Sequence, residues 1–160
     1  MPNNLSHIMP NPRVVPILWG HSYVKYPAFT ASLSKFFNDI VLGPYMNGLA
    51  QYGVSKATLH ATIVIDEPNA PKKITYQNAA APATDDITPR LVEWINAGTV
   101  PAPTSSTDNN TLYLILPPTE TTVIYQSGSD LIGNGVQGWH NEGVTRPAAP
   151  DLLLGNSENR

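Results

Sequence analysis

The sequence predicts an α/β fold, a sheet of about four to five strands with two helical segments packed on it. Three observations predict it. Three apolar runs of strand length occur, at Val14–Trp19, Leu59–Ile65 and Leu112–Leu116. Two helical patterns fall between them. The alternation of strand and helix favours parallel strands joined by crossovers, so at least two of the three runs should pair in parallel in one sheet.

Residues 1–12, rich in Pro and Asn, read as an irregular lead-in. A single α/β domain is expected over 13–145, with a tail over 146–160. Val14–Trp19 is the first strand. Pro16 has no N–H to give to a ladder, which places it at a strand start or on an outer side. Gly20-His21-Ser22 reads as the loop that ends this strand. Pro27 suits the first turn of a helix. From there Phe29, Leu33, Phe36, Phe37, Ile40 and Val41 recur at spacings of three and four and form one apolar stripe. Gly43-Pro44 breaks it, and Tyr45–Tyr52 reads as a short second helix closed by Gly53.

Thr58–Asp66 is the second strand, with Leu59, Ala61, Ile63 and Ile65 on one face and His60, Thr62 and Val64 on the other. Residues 67–84 read as a long connection. Asp85 or Asp86 caps the next helix, whose inward stripe is Ile87, Leu91, Trp94 and Ile95, and Gly98 stops it. Asn110–Pro118 (NTLYLILPP) carries apolar residues on both faces, so it is expected to be the interior strand, covered on both sides. Thr121–Tyr125 is a fourth strand. Residues 126–138 read as a loop, and Gly138–Gly143 as the start of another short strand. The tail carries one apolar patch, Leu152–Leu154.

Composition narrows the function classes. Charged residues are 13% of the 160, against about 25% in a typical domain. The net charge is -3 and no basic block occurs, which argues against nucleic acid as a partner. No run approaches the roughly 18 apolar residues of a membrane span. With no cysteine, disulfides, Cys-type zinc sites and thiol catalysis are excluded. Met1–Pro12 lacks the apolar core of a signal peptide.

Four segments in order carry a resemblance: Val14–Gly20 (VVPILWG), the Phe29–Tyr52 helices, Asp86–Pro118 with its helix, P-x-P and Leu-Tyr strand ending in Pro-Pro, and Gly138-Trp139-His140. This order resembles the secreted phosphate-induced (EXORDIUM-like) proteins and their bacterial and fungal relatives over about Val14 to Asn141. The resemblance implies the front half of a zincin-like domain. It also implies an extracellular location, although the sequence leaves a cytoplasmic one open. The family turn reads Cys-Gly-Tyr-His. Here Gln137 stands in the cysteine position and the partner cysteine is missing. Longer relatives continue into a segment like the His-Glu helix of zincin-type metallopeptidases, and this chain has no H-E-x-x-H. The expectation that follows is a non-catalytic or catalytically incomplete member of the group, with no cofactor.

His21, His60 and His140 are candidate metal ligands, since three imidazoles and a water suit catalytic zinc. A metal-dependent hydrolase built on them is the first alternative. A hydrogen-bonded structural role for His60 and an exposed loop position for His21 are the plainer readings. Trp19, His21, Tyr23, Trp139 and His140 are candidate ligand-binding residues. With Tyr26, their aromatic members could stack on a carbohydrate, so a carbohydrate- or partner-binding module is the second alternative, and core packing is the plainer reading of the same rings. Ser127 and Ser129 lack the flanking glycine and helix of a nucleophile elbow. The G-x-G-x-x-G of Gly133–Gly138 lacks the strand and helix that give that motif its meaning. Trp139 is expected to pack on the core and anchor its loop, with His140 nearer the surface.

Overall fold

The computed structural model describes residues 9–77, 86–104, 110–118, 121–127 and 130–132. Eleven elements follow in chain order, namely β1 (Arg13–Trp19), α1 (His21–Lys25), α2 (Pro27–Val41), α3 (Pro44–Asn47), β2 (Thr58–Leu59), β3 (Ile63–Ile65), β4 (Lys73–Gln77), α4 (Ile87–Asn96), β5 (Thr111–Leu116), β6 (Thr122–Ser127) and β7 (Asp130–Ile132). The fold is α/β. The three apolar runs share one sheet in which β1 pairs in parallel with β2, β3 and β5. A second sheet has the order β4-β6-β7. The chain divides into two compact units, one of Met1–Ile74 with Asp108–Val123, the other of Thr75–Thr107 with Ile124–Arg160.

Among the described residues the strand with a neighbour on each side is β1, whereas Asn110–Pro118, expected to be covered on both faces, has one face exposed. Arg13 pairs with Thr58 on one edge and Thr111 on the other, and Ile17 likewise with Ile63 and Ile115. β1 therefore has a neighbour on each side, and Val15, Ile17, Leu18 and Trp19 are wholly buried. β5 flanks it, and its Leu112 and Leu114 are 41% and 36% exposed. Both faces of β5 are apolar; Tyr113 and Ile115 are half-buried, whereas Leu112 and Leu114 are exposed.

The run Thr58–Asp66 is two strands. Val14 pairs with Leu59, whereas Ile17 pairs with Ile63. Three steps along β1 thus match four along its partner, so one extra residue is bulged out within His60–Thr62. The bulge explains Pro16, which lies in the middle of the central strand rather than at its start or outside. The carbonyls of Pro12 and Val14 accept from the N–H groups of Thr58 and His60, and Gly20 N–H donates to Ile65 O. Even-numbered residues of β1 therefore direct their backbone groups at β2 and β3. The N–H that Pro16 lacks would point at the bulge, where the ladder is already interrupted. The bulge also reverses the faces, since Leu59 lies on the side of Val14 and Leu18 while Ile63 and Ile65 lie on the side of Ile17 and Trp19.

Helix α2 covers the side of Val14 and Leu18. Phe37 packs with Leu18 and Tyr23, joined by Leu33, Leu59 and Leu116, and Val41 packs with Val14 and Ala57, joined by Met46. The six-residue stripe expected to be buried is split. Phe37 and Val41 are buried and Leu33 half-buried, but Phe29, Phe36 and Ile40 are exposed. Three other boundaries differ from expectation. His21–Lys25 is a short helix rather than a loop, Lys73–Gln77 is a strand within the long connection, and the Tyr45–Tyr52 segment is α3 followed by a 3₁₀ turn, Gly48–Tyr52. The segment expected to be a loop after Tyr125 instead carries the end of β6 and the antiparallel β7.

In the other unit, α4 keeps its expected limits. Asp86 is the N-cap residue, Ile87 and Trp94 are buried and Leu91 and Ile95 half-buried. Gly98 takes φ +71 just past the end, and Thr99 N–H donates back to Trp94 O. This is the left-handed closure that glycine makes cheaply.

Candidate functional site

Ligands of parallel α/β sheets bind beyond the carboxyl ends of the strands. Here that end is built from residues just after β1, β3 and β5. Trp19 and Ile65 are register partners, so the chain emerges from β1 and β3 side by side. His21 then meets Asp66, and Trp19 meets Glu67. His21 Nδ1 lies 2.8 Å from Asp66 Oδ1, with both side chains about half exposed. Trp19 Nε1 donates to Glu67 Oε2 at 2.6 Å. On the other side, Gly20 at φ +124 lies flat against Pro118, and Tyr23 Oη donates to Pro117 O at 2.8 Å. The junction of β1 with β5 is thus sealed by Pro117-Pro118, and among the described residues the His21–Asp66 pair is an open polar feature of this end. Its geometry holds the imidazole by one nitrogen and leaves Nε2 unused by Asp66, an arrangement able to orient a histidine as a general base or a ligand.

Placement of the other candidates decides several questions. Trp19 is fully buried and Tyr23 nearly so, so their rings belong to the core and offer no face for a sugar. Tyr26 is exposed, with Lys25 Nζ 5.4 Å from its ring centre. His60 is half-buried, its Nδ1 2.8 Å from Ala61 O and its backbone N–H donating to Val14 O. That bond sets His60 beside the start of β1, while His21 follows its end. Six residues of strand, about 20 Å at ~3.3 Å each, separate them. His21 and His60 therefore do not share one metal ion. Among the described residues no group of three or more His, Asp or Glu is placed to hold a metal. Trp139 and His140, together with Gly133–Gly138 and Leu152–Leu154, lie outside the described residues.

Asp66 and Glu67 were not singled out by sequence. The signal was present in outline, since both follow a strand that pairs in parallel with β1.

A second feature lies on the helix-covered side of the sheet. Register sets Leu112 beside Val14 and Leu114 beside Pro16, on the face that α2 covers farther along. Phe29 stacks on Tyr23 with ring centres 6.2 Å apart and planes at 11°. Tyr23 in turn reaches Pro117, just past β5. The flank of α2 that carries Phe29 therefore looks toward β5. Phe29, Phe36 and Ile40 on that flank recur at helical spacing with the half-buried Leu33. Together with Leu112 and Leu114 they make an apolar trough with α2 as one wall and β5 as its floor. Helical geometry places Lys35 and Asp39 on the outward side of α2, where they pair.

Burial raises the Tyr23 hydroxyl above its ordinary pKa of 10.0, because the tyrosinate would lose water. A raised folded-state value means that this contribution to stability is intact below pH 10.0 and is lost as pH rises from there through the folded pKa. Tyr23→Phe is expected to remove that alkaline loss while costing about 0.5–1.5 kcal/mol at pH 8 through the missing bond to Pro117. Urea unfolding of both proteins at pH 8 and near pH 11 checks it. Parallel alkaline losses in the two would show that Tyr23 is not the group responsible.

No protein-family model, curated protein or solved structure matches the chain.

Proposed function

We propose that this chain is a catalytically incomplete, extracellular member of the phosphate-induced, zincin-like group that works by holding a polypeptide partner. The family part of this reading rests on the order of the four segments from Val14 to His140. The observation that carries the binding part is the trough. Phe36 is 56% exposed and Phe29, Ile40, Leu112 and Leu114 are exposed as well, and large apolar side chains left in water on one side of a sheet are of the kind that marks interaction sites. A carbohydrate would need aromatic faces with polar groups around them, whereas the trough is aliphatic and phenyl-lined. The His21–Asp66 pair favours a second reading, a hydrolase in which His21 acts as base or metal ligand.

Three measurements on the full chain separate these readings: selection of binders from displayed linear peptides, glycan binding by calorimetry, and hydrolysis of peptide and ester substrates with added zinc. Peptide binding lost in Phe36→Asp is the expected result. Hydrolysis abolished by His21→Ala, with no peptide retained, would replace the proposal by the second reading. Glycan binding alone would replace it by the carbohydrate module.

A further inference from the structure

We infer that the occupant of the trough is an amphipathic α-helix of a partner polypeptide, laid alongside α2 and over β5; this rests on the polypeptide-binding reading. The argument starts from the backbone of the occupant. The trough lies on the face of β5, whose backbone groups lie in the plane of the sheet and not on that face, and its walls are Phe29, Leu33, Phe36, Ile40, Leu112 and Leu114, all apolar. An extended peptide there would bury N–H and C=O groups with nothing to bond. A helix satisfies those groups within itself and presents only side chains.

Dimensions agree. α2 has 15 residues and β5 has 6, so wall and floor are each about 20 Å long. That length seats about four helical turns, and a second helix beside α2 would sit at the usual ~8–10 Å between axes. Area selects between a helix and a whole second copy of the chain. Five side chains about half exposed offer on the order of 400 Å², whereas a stable globular pair uses about 800 Å² on each partner. Charge points the same way. A second copy that lowered its α2 into the trough would turn Lys35 and Asp39, on the outward side of that helix, onto Leu112 and Leu114 and strip their water. A foreign helix with one apolar face meets neither obstacle.

The probe is a displayed library of random linear peptides about 18 residues long, long enough for the four turns above, selected on the full chain. Enriched peptides are expected to carry apolar residues at three- and four-residue spacing. Synthesised singly, they should gain helical circular dichroism on binding. Phe36→Asp and Leu114→Asp, both at exposed positions and checked for an unchanged unfolding midpoint, should each weaken binding at least about tenfold, that is by ~1.4 kcal/mol. Enriched peptides that alternate every second residue and gain no helix overturn the inference while leaving the polypeptide-binding reading standing. No enrichment overturns both. Binding untouched by both variants places the site elsewhere and overturns the inference. Sedimentation showing a dimer that either variant dissociates makes a second copy the occupant instead.

Discussion

Trp19→Ala is expected to destabilise the fold by about 3–5 kcal/mol, the range for truncating a wholly buried aromatic. Trp19 ends the central strand and is 0% exposed. Its removal leaves a cavity on the face of the sheet that it shares with Ile65, its register partner, because a packed interior relaxes only in part. The same change deletes the donor that holds Glu67 at 2.6 Å, a bond to a carboxylate and so stronger than a neutral one. Trp19→Phe separates the two contributions. It keeps most of the apolar volume and loses the N–H, so its cost should be about half that of alanine. Urea unfolding followed by far-ultraviolet circular dichroism gives both values. A loss below about 1 kcal/mol for alanine would mean that the carboxyl end of β1 is not the packed centre described here. Should the alanine variant fail to fold, the phenylalanine variant still reports the graded loss.

The parallel arrangement was legible because it depends on length and alternation alone. Val14–Trp19, Leu59–Ile65 and Leu112–Leu116 are strand-sized, apolar and separated by helical patterns, and chain connectivity then leaves few choices. What was hidden depends on neighbours. Leu59, Ala61, Ile63 and Ile65 alternate without fault, and nothing in that pattern marks an inserted residue; the clue lay on the other strand, in a proline that cannot donate. β5 is apolar on both faces, a property that a strand covered on both sides shares with one left open on its second face, and the pattern alone does not tell them apart. The same ambiguity affected α2. Its apolar residues span an arc wider than one sheet face can cover, so Phe37 and Val41 are buried while Phe29, Phe36 and Ile40 line the trough. Excess apolar width is visible in the sequence, but which of these residues the sheet leaves exposed is not.

The candidate site was legible only in part for a different reason. His21 was singled out from its position after a strand, but its partner Asp66 lies 45 residues away and becomes a neighbour through the pairing of Trp19 with Ile65. Knowing the register would have named the pair. Trp19 and Tyr23 were weighed as ligand-binding rings because aromatic residues near a strand end suit both roles. Burial decides between them, and composition does not encode it.

Gly20→Ala is expected to cost about 2–6 kcal/mol, from two separable causes. The first is backbone conformation. Gly20 sits at φ 124 and ψ 156, a region that is essentially glycine's alone and costs other residues ~1–3 kcal/mol. The second is contact, since an added Cβ would lie 2.9 Å from both Cβ and Cγ of Pro118. A proline ring cannot swing aside, and Pro118 is itself buried, so either β5 or the turn after β1 must move, at the ~1–3 kcal/mol typical of overpacking. The two causes part in a double-mutant cycle with Pro118→Gly. Losing the ring removes both Cβ and Cγ, the two atoms at 2.9 Å, and leaves the backbone strain. Gly20→Ala should therefore cost less in the Pro118→Gly background than in the wild type, by about 1 kcal/mol or more, with the remainder persisting. Equal costs in both backgrounds would show that Pro118 does not press on Gly20, and the seal between β1 and β5 would have to be assigned to Tyr23 and Pro117 alone. A change below about 0.5 kcal/mol for Gly20→Ala itself would mean that the turn takes another conformation and that His21, the next residue, is not fixed against Asp66 by it.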